Sequence, residues 1–183
     1  MSEKITAVVR GIVEDAAAKS SDELAMDHVN KVTSNALALA RKVGADEEIV
    51  ELAALLHDLT RIRSHGHADD HHVTGAVEAE RILRELGYPE DRVARVKHCV
   101  EAHRGSQKIP RKTKEAGCVA SADALSHFDS VGYLLNIAYG KGMNAIEANK
   151  WLLDKLERGW NKMIPEAKEM ARPKYEAAKL LFG

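Results

Sequence analysis

A histidine and an aspartate, His57 and Asp58, stand side by side at the end of an apolar run, Ile49-Val50-Glu51-Leu52-Ala53-Ala54-Leu55-Leu56. A helix built to bury its leucines thus finishes in an imidazole and a carboxylate. Burying either group without a partner costs on the order of several kcal/mol. A divalent ion satisfies both, because neutral imidazole nitrogen and carboxylate oxygen are good ligands. Neighbours inside a helix diverge by about 100°, so a helix terminus is where these two side chains can converge on one ion. Further candidates flank the pair: His28 upstream, then His71, His72, His98, His103 and Asp123 downstream. Asp123 lies in Ala120-Ser121-Ala122-Asp123-Ala124-Leu125, a carboxylate among small residues. Any one of these residues alone reads as a cap or a solvated surface group. As an ordered set they read as a metal centre.

Cations surround the same stretches. Lys31 and Asn35 follow His28 by three and seven residues and share its helical face. Arg61 follows the His57-Asp58 pair, and Arg104, Lys108, Arg111, Lys112 and Lys114 crowd one loop region. Such charges suit a phosphate pocket, although 108–114 also reads as a solvated basic loop. His98 and His103 are five apart, about 140° around a helix, so one of them points inward; His103, at the helix end, is preferred.

The elements that must position these residues read as helices nearly throughout. Residues 3–19 place Ile5, Val8, Val9, Ile12 and Val13 at helical spacing. Residues 22–43 form a second helix stopped by Gly44, and 46 to about 59 a third, capped by Asp46. The polar stretch 60–70 reads as a loop. Helices follow at about 73–86 and 89–103, then a loop at 105–111. A sixth helix starts near Thr113, and an apolar segment runs over 128–139. Two amphipathic helices, 144–163 and 165–182, complete the nine. No segment alternates with the period of a strand. We expect one all-α domain over 1–183, its motif-bearing core at about 22–140, with 141–183 packed on that core.

Composition narrows the partners. The chain has 183 residues, 30% charged and 45% hydrophobic, enough for one substantial core. Aromatics at 4% and a net charge of -1 argue against a nucleic-acid platform or an anionic membrane partner. No stretch approaches a membrane span and no signal peptide is expected. Two cysteines, Cys99 and Cys118, form no disulfide framework and fit the cytoplasm.

The order His28, His57-Asp58, Asp123 resembles the HD-domain superfamily of metal-dependent phosphohydrolases, above all its small single-domain members. Residues 52–58 look like the signature helix. His28-Val29-Asn30-Lys31-Val32 corresponds to a His-x-x-Arg-Val segment, and residues 96–106 look like the stretch between the His-Asp pair and the last Asp. The resemblance covers about 27–138. It implies an HD-type helical bundle of eight to nine helices. His28, His57, Asp58 and Asp123 would surround one metal, which supplies the hydrolytic water. Asp58 is then best placed to orient or deprotonate that water. His71-His72-Val73-Thr74-Gly75-Ala76 looks like the His-Pro-x-x-Gly-Ala segment of two-metal members. That aligns His71, with His103, as ligands of a second ion, and leaves His72 and His98 as weaker candidates. Mixed His and carboxylate ligation suits Mn, Fe, Co, Ni or Zn better than Mg. Two departures stand out: Lys31 replaces an Arg, removing a bidentate phosphate clamp, and Ser121 and Ala124 replace an acid and an Arg.

The expectation is therefore a metal-dependent phosphohydrolase holding one or two ions, with Asp58 catalytic. Lys31 and Arg61 would bind phosphate, with Arg104, Lys108 and Arg111 as further candidates. The substrate would be a small phosphorylated, nucleotide-like compound. Two alternatives stand beside it. One is a sensor that binds a nucleotide or metal without turnover. The other is a helical scaffold pairing, as in a homodimer, through Trp151, Leu152, Leu156, Trp160 and Met163; that stripe also reads as burial within the chain.

Overall fold

Seven small or aliphatic residues of one helix, Ile49, Val50 and Leu52 to Leu56, are all fully buried, and the rest of the molecule is arranged around them. The computed structural model describes residues 2–20, 22, 24–64, 70–104 and 109–183. Among these the helices are α1 (Ser2–Ala18), α2 (Ala25–Val43), α3 (Glu47–Leu56), α4 (Leu59–Arg63), α5 (His71–Glu85), α6 (Glu90–Ala102), α7 (Lys114–Asp129), α8 (Val131–Gly140), α9 (Ala145–Lys162) and α10 (Pro165–Phe182), with no strand. Nine have ten residues or more. The tenth, α4, is a five-residue turn of helix that overlaps the start of the stretch expected to be loop. It forms because Leu59 and Ile62, spaced three apart, are both buried. The sequence expectation split that pair, with Leu59 closing the third helix and Ile62 in the loop.

The central helix α3 starts where Asp46 accepts a hydrogen bond from the Ile49 backbone N–H, satisfying one of the free donors of the first turn. It packs against α1, α2, α6 and α7. Helix α7 is buried from Glu115 through Ser126. Its Ala, Gly and Ser residues let neighbours approach closely: a methyl group added at Gly117 would lie 3.2 Å from Ile164. Gly44 ends α2 in the left-handed conformation, φ 64°, where glycine carries no side-chain clash. At the C-terminal end α9 packs on α7 and α8, and α10 on α9, α7 and α2. Leu152, Leu156 and Met163 are buried in this packing, and Trp160 stacks on Tyr175 with ring centroids 4.3 Å apart. Most of the stripe considered as a partner surface is thus spent inside the chain. No helix among the described residues is long and apolar enough to cross a membrane.

Candidate metal centre

The chain breaks its helix at the His-Asp pair. His57 keeps helical angles (φ -56°, ψ -37°), while Asp58 shifts to φ -114°, ψ 10°. The change turns Asp58 back beside His57, so that His57 Nε2 and Asp58 Oδ2 are 3.7 Å apart. His28 enters from α2, with its Nε2 3.2 Å from His57 Nε2 and 3.7 Å from Asp58 Oδ2. His71, at the start of α5, brings Nε2 to 3.4 Å from Asp58 Oδ1, and His103, just after α6, to 3.8 Å from the same oxygen. Two groups that could each hold an ion result, His28–His57–Asp58 and Asp58–His71–His103. They share the Asp58 carboxylate, one oxygen facing each.

The backbone sets the tautomers. His57 Nδ1 donates to the Ala54 carbonyl at 2.7 Å, and His103 Nδ1 to the Val100 carbonyl at 2.6 Å. Ser126 spends its hydroxyl proton on the Asp123 carbonyl (2.7 Å), so its oxygen accepts from His28 Nδ1 at 3.2 Å. Each outward nitrogen is thus fixed as N–H, and each Nε2 lone pair is aimed inward. Burial pushes His28 down to about 4 and His103 to about 3, so both rings are neutral near pH 7. Two lone pairs, on His28 and His57, therefore meet across 3.2 Å. A cation between them would satisfy both, and one with several coordination sites could also use Asp58. Ligand atoms bound at about 2.0–2.2 Å stand roughly 3–3.5 Å apart around one ion, so the donor set fits a divalent metal.

Burial alone would raise Asp58, but the imidazoles and the Arg61 guanidinium outweigh it and hold the carboxyl well below the usual range. Arg61 donates from Nη1 to Asp58 Oδ2 at 2.8 Å and from Nη2 to the Tyr133 hydroxyl at 3.2 Å. Tyr133 in turn donates to Asp22 at 2.8 Å. Helix α5 can come this close because Gly75 has no side chain. A methyl group there would lie 3.3 Å from Thr60 Oγ1, 3.6 Å from the His57 carbonyl oxygen and 3.6 Å from Val100. The Thr60 hydroxyl also donates to the His71 carbonyl at 3.2 Å, holding the start of α5 against the His-Asp turn.

The other sequence candidates are distributed around this centre. Asp123 Oδ1 lies 3.7 Å from His28 Nε2, but its second oxygen accepts from Lys162 at 2.5 Å, and Asp123 joins neither complete group. Lys31 is bound to Asp27 (2.7 Å) and Ser130 (2.8 Å). His72 is buried beside His71, with Nδ1 lacking a hydrogen-bond partner. His98 sits apart, accepting from the Lys112 backbone N–H at 3.1 Å. Arg111 donates to the Lys162 carbonyl at 3.4 Å, and its Nε is buried without a partner. Arg104 is half-buried just after His103, and its charge helps depress His72 after burial. Lys108 lies outside the described residues.

Three residues near the centre escaped sequence reasoning. His127, one turn after Asp123, stacks on His28 (centroids 5.9 Å apart) with its Nε2 3.8 Å from Asp123 Oδ1. Lys162 bridges Asp123 and the His103 carbonyl (3.1 Å) with its side chain only 8% exposed. Lys155 lies one side of the same helix. The signal was available: positions 155 and 162 fall on the buried stripe Leu152, Leu156, Gly159 and Met163, where lysine needs a reason.

Known proteins frame this geometry. The fold is similar to YpgQ of Bacillus subtilis (TM-score 0.74, 23% identical, 99% of this chain and 93% of that one) and to an HD-superfamily hydrolase of Bacillus thuringiensis (0.76, 19%, 98% and 94%). A structure of YpgQ in complex with ADP gives 0.72 at 26% identity over 96% and 90% of the two chains. Among curated relatives, ribonuclease Y of Sulfurimonas denitrificans is 32% identical over 102 residues, 56% of this chain. A tRNA (cytidine(56)-2'-O)-methyltransferase of Thermoplasma volcanium is 39% identical over 87 residues, 48% of this chain. The matches span 18% and 22% of those longer proteins. The HD domain model matches residues 26–127, more than half of the chain and the stretch that brings His28, His57, Asp58, His71, His103 and Asp123 together, so the protein belongs to the HD-domain family.

Proposed function

We propose that this protein is a metal-dependent phosphohydrolase that cleaves a phosphomonoester or nucleotide phosphate bond. The observation that carries the reading is the pair of inward lone pairs on His28 and His57, 3.2 Å apart beside the Asp58 carboxylate. His28, His57 and Asp58 would hold one ion with Asp123 in reach, and Asp58, His71 and His103 a second. Imidazole-rich sites favour Mn, Fe, Co, Ni or Zn over Mg. A divalent ion in such a site supplies an acidified water and positive charge for the phosphoryl oxygens. Asp58, kept anionic by Arg61 at 2.8 Å, would orient that water or take up its proton. A nucleotide-like substrate is supported by YpgQ, whose structure includes ADP. The buried free thiols Cys99 and Cys118 suit a reducing, cytoplasmic setting.

The test is phosphate release from a panel of nucleotides and sugar phosphates with added Mn, comparing wild type with Asp58→Ala. Release that vanishes in the variant supports the proposal. Tight ADP binding by calorimetry with no release under any of the five metals would replace it with the sensor reading.

A further inference from the structure

Charge in the pocket is unevenly matched. Asp58 is paired with Arg61 at 2.8 Å, and Asp123 with Lys162 at 2.5 Å, while His28 and His103 are neutral. Lys155 is left over. Among the described residues its ammonium makes no hydrogen bond and no ion pair; it lies over the Trp151 ring, with the centroid 5.9 Å away. Yet it is no free surface lysine. Burial pushes it down to about 8, and the charges acting on it are those of Asp123, Lys162, Arg61 and Asp58. Its own charge helps to depress the neighbouring His127, after burial.

Packing explains why Lys155 stands there. Positions 155, 159 and 162 share one face of α9. At Gly159 that face is pressed on α7: an added methyl group would lie 3.4 Å from Ala124 Cβ, one residue beyond Asp123. Lys155 and Lys162 therefore flank the crossing, about 10 Å apart along the helix. Lys162 turns to Asp123 and the His103 carbonyl, and Lys155 occupies the other side with no carboxylate to meet. Arg61 also stands 3.8 Å from Asp22, so of Arg61, Lys155 and Lys162 it is Lys155 that makes no ion pair, and a bound divalent ion would add to its positive surroundings. A half-buried ammonium without a charged partner is costly to a fold, and an incoming anion offsets that cost.

The geometry points to Lys155 as a substrate-binding residue that receives the phosphate dianion of a phosphomonoester or a terminal nucleotide phosphate. The inference rests on the phosphohydrolase reading. It adds that α9, outside residues 26–127 of the family match, supplies the phosphate-recognising charge. Of the two candidates expected first, Lys31 is engaged by Asp27 and Ser130, and Arg61 by Asp58 and Tyr133.

The experiment uses the whole Mn-loaded protein and inorganic phosphate as probe, with Lys155→Met, which keeps the length of the stem, and Lys155→Arg, which keeps the charge. Calorimetry should show phosphate binding weakened at least tenfold in Lys155→Met and largely restored in Lys155→Arg, with Mn uptake equal in all three proteins. For a compound that the wild type hydrolyses, KM should rise more than kcat falls. Lys155→Met should melt no lower than wild type, since it removes an unpaired charge. Equal phosphate affinity in wild type and Lys155→Met overturns the role of Lys155 while leaving the phosphohydrolase standing. Weakened binding that Lys155→Arg does not restore, with a lowered melting temperature, overturns it in favour of a packing role. A Mn-loaded wild type that neither binds phosphate nor releases it from any compound overturns both.

Discussion

Asp58 belongs to both ligand groups, so replacing it with the isosteric amide should cost more metal than any single histidine change. Metal that binds only the folded protein stabilises it by about 2.7 kcal/mol at a free concentration of 100 Kd. For a chain of this size each kcal/mol moves Tm by about 2–4 °C, so Mn should raise the wild-type Tm by about 5–11 °C at that concentration. In Asp58→Asn the anionic oxygens facing His28 and His57 at 3.7 Å, and His71 and His103 at 3.4 and 3.8 Å, are lost together. The Mn-induced shift should then fall below about 2 °C, since little binding linkage remains. His71→Ala leaves the His28–His57–Asp58 group whole and should keep about half of the bound Mn. Without metal, Asp58→Asn loses the ion pair to Arg61, whose side chain is 28% exposed. Partial solvent screening limits that loss to about 1 kcal/mol. Thermal melts in EDTA and in Mn, with metal counted by mass spectrometry after gel filtration, read all of these. An Asp58→Asn protein with the wild-type Mn shift and ion count would refute the shared-carboxylate arrangement.

Three further outcomes follow from local geometry. Acidity should weaken the metal-free fold: His28 and His103 titrate near 4 and 3 in the folded protein, below the 6.5 of the unfolded chain. Their contribution is whole above pH 6.5 and is lost as pH falls towards 4, because the unfolded chain takes up protons that the fold refuses. Each ring gives a slope of about 1 kcal/mol per pH unit, and urea unfolding in EDTA at pH 7.0 and 5.5 that shows equal stability would contradict this. Gly75→Ala places a methyl group 3.3 Å from a Thr60 hydroxyl already bonded to the His71 carbonyl. It should displace the start of α5 and reduce Mn bound through His71, and an unchanged Mn count would show that α5 yields freely. Asp46→Ala removes the cap on Ile49 and the bonds to Arg92 (3.0 Å) and Arg95 (3.3 Å), and should cost about 1–2 kcal/mol in urea unfolding. Asp46→Asn, which can still cap, should recover about half, and an Asn variant no better than Ala would assign the effect to the ion pairs alone.

Legibility in the sequence followed the range of the forces involved. Helices were readable because apolar spacing and caps are local: Asp46, Thr113 and Asn144 all cap the helices expected after them. The His57-Asp58 pair was readable because a carboxylate closing an apolar run contradicts its surroundings. The short helix α4 was not, since two buried residues, Leu59 and Ile62, are too few to stand out among charges. The partners of Lys31 and Asp123 were also hidden. Ser130 and Lys162 lie 99 and 39 residues away in the chain, and only packing brings them near.

That last distinction bears on how the site works. The ligand-bearing residues cluster in 26–127, where His57 and His103 are each set by a helix end and a backbone carbonyl three residues back, Ala54 and Val100, and His28 by the Ser126 hydroxyl. Such a centre can be assembled by local structure and a few helix crossings. The charge proposed to receive a phosphate, that of Lys155, comes instead from α9, which lies against Ala124 at Gly159. On the proposed reading, binding of metal and recognition of substrate would be carried by different segments of the chain. Substitutions on α9 would then alter phosphate affinity while leaving the Nε2 donors of His28, His57, His71 and His103 where the core holds them.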